Sequence, residues 1–460
     1  MLKIVRVPNY YLPSQKIVDN EIVLKPILRI VDILLAALLL LRFTIWAALT
    51  YIDTNYLRRR QKTEKINMLD ITMSSSYSSY KERGLLSNLM QQEEDGYIEK
   101  YFTIYPFTET TRTIELSDRT TLIEWSSEKF SRWQDLGFKY SRYVLIMWHF
   151  FHYCVNLIQD EEINIIRSNN PFTSAAIAFM CSKLTRTPFC VAVRHEFDVT
   201  ARYTNAKKFP TVIGSQKLAM IIQRLVLSRA NRIIPTNESR AKYAIRHGAR
   251  RERIRMDPFR INISKFPKPS STLKKELGIE DKKAISFIGR LVSYNYVTDI
   301  IHIAAKVYPH RNDAIFLMVG DGDERKVLEE LSHSLRLDDI VKFLGMQQWQ
   351  KSMQIRVISD VSLCLMAGNS LVEAAVAATP LIAYDVDWHY ELVRNNETGF
   401  LLPEGDINGV AEAIIKLLDD HELAQRLGQN ARKLAIERHS TERVRRIRIQ
   451  LYEELLRSAK

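Results

Sequence analysis

A chain of 460 residues, 46% of them hydrophobic, is too long for one ordinary core and too apolar to be disordered. It is expected to form two domains of roughly 200 residues each. Cys154, Cys181, Cys190 and Cys364 sit inside apolar runs with no metal-type spacing, which argues against a disulfide framework or a zinc site and for buried thiols in a reducing compartment. The formal net charge of +13 is uneven: residues 276–460 hold 23 of the 66 Lys and Arg and 28 of the 53 Asp and Glu, leaving 43 and 25 to residues 1–275. A strongly basic first half points to an anionic partner, either nucleic acid or a membrane surface.

Leu2–Val7 (LKIVRV) reads as a first strand, ended by Pro8. Ile30–Ile52 is long enough to cross a bilayer, but Asp32 and Arg42 interrupt it and basic residues flank it: Lys25 and Arg29 before, Arg58, Arg59, Arg60 and Lys62 after. Three readings follow: a helix lying in the membrane interface, a true span, and a buried core helix. The basic flanks and Trp46 favour contact with anionic lipid. The polar stretch Lys62–Asp95 reads as an irregular connection. Phe102–Phe107 and Thr113–Trp125 alternate like strands, and Phe138–Ile158 has the pattern of a long aromatic helix. Ile163–Phe172 gives strand, turn and helix start, with the helix continuing through Leu184. Pro188–Asp198 is a buried strand that delivers polar residues at its carboxyl end, and Arg229–Ala249 is again strand, helix and glycine.

After the linker-like run Pro267–Thr272 the pattern resets into apolar strands alternating with helices, and the most informative stretch is Leu363–Val393. Continuous apolar strands between helices mean parallel sheets covered on both faces, so two doubly wound α/β domains face each other across a cleft. Ligands of such sheets bind where strands end. His195 follows CVAV, Gly289 and Arg290 follow ISFI, Gly320 and Gly322 follow IFLMV, Gly345 follows VKFL, and Gly368, Asn369 and Ser370 follow VSLCLM. Glycine loops at helix starts let backbone amides approach a phosphate, and Arg290 would add a bidentate contact. Alone, each of these motifs is as compatible with a structural turn as with a site.

Taken in order, FIGRLVSYN, FLMVGDGDE, VKFLG, LVEAAVAATPLIAYDVDWHYELV and ETGFLLPEGD resemble the retaining nucleotide-sugar glycosyltransferases of the GT-B fold, glycosyltransferase family 4, most strongly over residues 284–420. Upstream, TPFCVAVRHEFD resembles that family's strand bearing the acceptor-side histidine. The resemblance implies a donor-binding set of Gly289, Gly320, Gly322, Gly345, Gly368, Asn369, Ser370, Glu373 and Glu391, and a catalytic set of His195, Arg290 and Glu373. In it, Glu373 accepts both ribose hydroxyls of the nucleotide, Arg290 and the Gly368–Ser370 amides hold the leaving diphosphate, and His195 faces the donor sugar or the acceptor. It implies no metal and no cofactor beyond the nucleotide-sugar donor.

The chain departs from that pattern at three places. Leu365 stands where a second acid is common, Asn295 where a lysine is usual, and Asp387-Trp388 where two glycines precede the distal Glu391. Asn369 and Ser370 are candidates to replace the missing acid. The resulting expectation is an acceptor and membrane-side domain over 1–270, a nucleotide-sugar domain over 276–440, and a C-terminal helix over 441–460 that packs back on the first domain. The expected activity is sugar transfer with retention onto a lipid-linked or polysaccharide acceptor, in glycolipid or envelope glycan synthesis. The expected place is the cytoplasmic face of the membrane, peripheral or monotopic, on an anionic surface. A catalytically silent partner in a glycan-synthesis complex is the alternative, and no motif for nucleic acid supports that third reading.

Overall fold

The computed structural model describes residues 28–43, 65–72, 77–82, 86, 96–132, 136–197, 215–269 and 271–458. The strand expected at Leu2–Val7 and positions 44–52 of the apolar segment lie outside the described residues.

The first lobe contains α1 (28–43), β1 (Ile66–Ile71), α2 (Tyr77–Glu82), β2 (Ile98–Thr108), β3 (Arg112–Glu115), β4 (Thr120–Ser126), α3 (Lys139–Asp160), β5 (Ile165–Ser168), α4 (Thr173–Thr185), β6 (Phe189–Val193), α5 (Gln216–Arg229), β7 (Arg232–Pro235) and α6 (Glu238–Arg246). Its sheet runs β3-β4-β2-β1-β5-β6-β7, with β3 antiparallel to β4 and all other pairs parallel. Strands β5 and β6 are buried at every position, as helices on both faces require.

β1 corrects the reading of Lys62–Asp95 as irregular, because this wholly buried strand lies in the middle of the sheet. Its sequence INMLDI hides the apolar signal behind two polar residues. Both meet tertiary partners: the Asn67 side chain donates to the Glu161 carbonyl (3.1 Å), and Asp70 accepts from the Tyr101 hydroxyl (2.7 Å).

The second lobe contains α7 (Ser271–Glu276), β8 (Lys283–Ile288), α8 (Val297–Val307), β9 (Ala314–Val319), α9 (Arg325–Ser334), β10 (Val341–Gly345), α10 (Trp349–Ile358), β11 (Val361–Leu363), α11 (Asn369–Val376), β12 (Leu381–Tyr384), β13 (Gly399–Leu402), α12 (Ile407–Asp419) and α13 (His421–His439). Its sheet runs β10-β9-β8-β11-β12-β13, all parallel. Counting parallel strands only, both sheets have the doubly wound order 3-2-1-4-5-6. Direction reverses between β1 and β5 in the first and between β8 and β11 in the second. The last helix, α14 (Thr441–Ser458), returns to the first lobe, where Leu451, Tyr452 and Leu455 pack against Ile66, Met68 and Tyr101.

The described part of the apolar segment, positions 30–43, bears on its readings. Among the described residues no helix is long and apolar enough to cross a membrane. Nor is α1 a core helix: Leu34 and Leu38 are 59% and 63% exposed, and Ile30, Ile33, Leu40 and Leu41 are exposed with them. Asp32, read from sequence as an interruption, is instead the anchor. It is buried, and its carboxylate accepts from the Tyr140 and Ser141 amides (2.7 and 2.8 Å) at the start of α3. Phe138 gives that helix no side-chain cap, so Asp32 supplies one from another element. Phe43 stacks on Trp148 of α3 with ring centroids 3.9 Å apart.

Candidate active site

The switch point of the second sheet is lined by the loops after β8 and β11. Ser370, in the first turn of α11, donates its hydroxyl hydrogen to the Ile288 carbonyl (2.7 Å) at the end of β8, which joins the two loops. Gly368 precedes α11, and a Cβ there would meet nothing within 4 Å. The amino terminus of α11 is therefore open to a ligand at a place where backbone amides favour negative charge. Arg290 is exposed beside it, donating to the Tyr294 hydroxyl with its guanidinium 5.5 Å from that ring. Asn295, which holds the expected lysine position, donates to the Arg290 carbonyl (2.8 Å) and braces the Gly289-Arg290 turn.

The other glycines have a different reason to be glycine. A Cβ on Gly320 would lie 1.9 Å from the Gly289 carbonyl oxygen, and one on Gly322 2.3 Å from that of Leu291. These positions press the β9 loop against the β8 loop and so shape the site from behind. Gly345 ends β10 in a left-handed turn (φ +66°), and its carbonyl accepts from the Gly320 amide (2.9 Å).

Glu373 lies one turn into α11, with one carboxylate oxygen accepting from the Trp349 indole N–H (2.9 Å). Burial raises its pKa, opposed by the Arg356 charge and the Trp349 bond. Arg356 is fully buried on α10 and donates to the Ser370 hydroxyl, so one cation backs both the acid and the helix start. Neither Trp349 nor Arg356 stood out in the sequence, because α10 follows a turn with no strong pattern.

His195 comes from the first lobe, just past β6. It is exposed, yet the cleft walls crowd it: burial, Arg240, Arg194 and Arg290 push its pKa down to about 4, against the opposing charge of Asp387. Arg290 and Asp387 belong to the second lobe, so His195 feels charges of both lobes and is neutral near pH 7. Leu365, the position of the missing acid, is buried in the apolar core.

Glu391, expected to bind the donor, is engaged by the first lobe in this structure. Its carboxylate accepts from the Ser239 and Glu238 amides (2.9 and 3.1 Å) at the start of α6, so it caps a helix of the opposite lobe. The sequence showed a distal acid but not that a free helix terminus would meet it. Arg240 on the same helix pairs with Asp387 (3.0 Å). The two lobes are thus tied at the cleft as well as at the hinge, where the Ile261 amide donates to the His439 carbonyl (2.9 Å).

Residues 270–434 match the family Glycosyl transferases group 1. The chain is 32% identical over 200 residues to N-acetyl-alpha-D-glucosaminyl L-malate synthase of Bacillus anthracis, covering 42% of this chain and 52% of that protein. It is 23% identical over 298 residues to a poly(ribitol-phosphate) alpha-N-acetylglucosaminyltransferase of Staphylococcus aureus, covering 64% and 56%. The chain thus spans about half the length of the curated relatives it matches. Its fold is GT-B: sucrose-phosphate synthase of Thermosynechococcus elongatus superposes with a TM-score of 0.68 at 18% identity, over 86% of this chain and all of that one. Anabaena HepE in complex with UDP superposes at 0.66 and 16%, over 84% of this chain and all of that one.

Proposed function

We propose that the chain is a glycosyltransferase that moves a sugar, with retention of configuration, from a nucleotide diphosphate to a lipid-linked or saccharide acceptor. The carrying observation is the meeting of Arg290, the open amino terminus of α11 and Glu373 at the switch point of the second sheet, opposite His195. The α11 amides and Arg290 hold the diphosphate and stabilise the charge it gains as the sugar leaves. Glu373 takes the ribose hydroxyls through its remaining oxygen while Trp349 fixes the other. Neutral His195 offers a hydrogen bond at the donor sugar or acceptor hydroxyl. Related proteins named for N-acetylglucosamine transfer, and neighbours solved with UDP, support a UDP-sugar donor. No step of this reading uses a metal ion, so EDTA is expected to leave transfer unchanged.

The test is titration calorimetry with UDP, ADP and GDP. Binding of one of them, weakened at least tenfold in Glu373→Gln, supports the site. A chain that binds none overturns it, and one that binds but turns over no nucleotide sugar is the silent partner.

Exposed α1 extends the reading to a membrane surface. Its apolar residues face solvent while Asp32 and Phe43 hold it flat on α3, and Arg29 and Arg42 are exposed at its ends. With Lys25 and Arg58–Arg60 nearby in sequence, the partner that fits is an anionic bilayer. Vesicles containing phosphatidylglycerol are expected to sediment the protein, less so at high salt and in Leu34→Glu/Leu38→Glu. A protein that stays in solution, or pairs through this face into a dimer, removes the membrane.

A further inference from the structure

Asp387 is an acid at a place where a glycine would be the easier residue. Its φ is +51°, in the left-handed region that glycine favours and aspartate tolerates. Its carboxylate is half used. One oxygen accepts from Arg240 across the lobes at 3.0 Å, whereas the other is buried and has no hydrogen-bond partner. An unmatched buried carboxylate oxygen is costly, and a ligand hydroxyl is one group that can pair with it.

The loop after β12 is fastened to the Gly368 loop by His389, which is wholly buried. With Nδ1 donating to the Tyr384 carbonyl (2.9 Å), His389 Nε2 accepts from the Ala367 amide (3.0 Å). Asp387 is thereby held beside the diphosphate end of the candidate site. Its charge and that of Arg290 both act on His195 from the second lobe. Leu365, meanwhile, is packed in the core and offers no acid to the cleft.

We propose that Asp387 binds the sugar of the donor, its unpaired oxygen accepting from a hydroxyl of the group to be transferred, with Arg240 fixing the carboxylate from the opposite lobe. This rests on the nucleotide-sugar reading above and deepens it: Asp387 makes up for the acid lacking at Leu365 and sets which sugar hydroxyl pattern is accepted. Arg240 is a positioning residue, acting through Asp387.

The test uses Asp387→Gly, which removes the carboxylate and relieves the left-handed backbone, so the fold is expected to survive. Asp387→Asn keeps the shape. UDP affinity, and kcat/KM for UDP-glucose and UDP-N-acetylglucosamine, are compared with the unmodified chain. The expected result is UDP affinity within about twofold, with kcat/KM for the better sugar nucleotide lowered about ten- to a hundredfold, the range of one charge-assisted hydrogen bond. Asparagine is expected to recover part of that loss. An equal loss of affinity for UDP and for the sugar nucleotides makes Asp387 only a clasp between lobes and overturns the proposal. Unchanged kinetics in Asp387→Gly overturn it as well. Failure of the unmodified chain to bind any nucleotide diphosphate brings down the underlying reading, and this one with it.

Discussion

The two sheets share one strand order, and they use its switch point in opposite ways. In the first lobe, β1 and β5 flank the reversal and carry Asp70 and Arg167 in register, both buried. Both are engaged inside the protein: Asp70 accepts from Tyr101, and Arg167 donates to Asp257 (3.3 Å), which also accepts from Arg448 of α14 (2.6 Å). In the second lobe, β8 and β11 end in loops whose polar groups remain open to the cleft. The same topology serves as a clamp for the returning helix in one lobe and as a ligand seat in the other. The architecture offers the position; side chains decide whether the protein fills it itself.

Three measurements break or sharpen that contrast, and the largest effect should come from the clamp. Arg448→Met leaves Asp257 with a single buried cationic bond, and removing one partner from a buried ion pair typically costs about 3–5 kcal/mol. Thermal unfolding should show a marked fall, with the first lobe destabilised before the second. A melting temperature within a degree or two of the unmodified chain would mean that α14 is held by its apolar side alone. Next is Arg290→Ala, which leaves the fold intact because the residue is exposed. Loss of one preorganised donor to developing charge costs roughly 10²–10³ in kcat. A rise in KM with kcat unchanged would restrict Arg290 to ground-state binding.

The smallest effect is in pH. Burial raises the Glu373 pKa above its ordinary value of 4.5, and ribose hydroxyls need the ionised form. UDP affinity should therefore be full above that raised pKa and decline as pH falls through it, earlier than for an ordinary carboxylate. His195, neutral down to about pH 4, contributes nothing in that window. The UDP phosphate titrates too, so the relevant quantity is the ratio of affinities between the unmodified chain and Glu373→Gln. A ratio that does not fall as the pH is lowered through the carboxylate range removes the ribose role.

Much of this was legible in the residue order. Apolar runs such as AIFLMV and FCVAV give buried parallel strands, because a strand covered on both faces cannot alternate. Glycine after a strand and a lone acid after Gly368 mark a loop that must come close to something. What stayed hidden has a common cause. INMLDI escaped because its polar side chains meet partners such as Glu161 and Tyr101, far along the chain. Arg356 is a charge on an unremarkable helix until its helix is seen packed behind Glu373.

The sequence by itself determined two parallel α/β domains, the loops at which a ligand could bind, and the charge asymmetry between the halves. All three depend on local pattern, on which residues lie within one strand, turn or helix of each other. Only the tertiary structure decided that Asp32 caps α3 and turns an apolar helix outward. It also decided that Glu391 caps a helix of the opposite lobe and that Asp387 pairs with Arg240 while keeping one buried oxygen unmatched. Those outcomes depend on partners 109, 152 and 147 residues distant. A buried charge takes its meaning from the group it meets, and spacing along the chain does not encode that meeting.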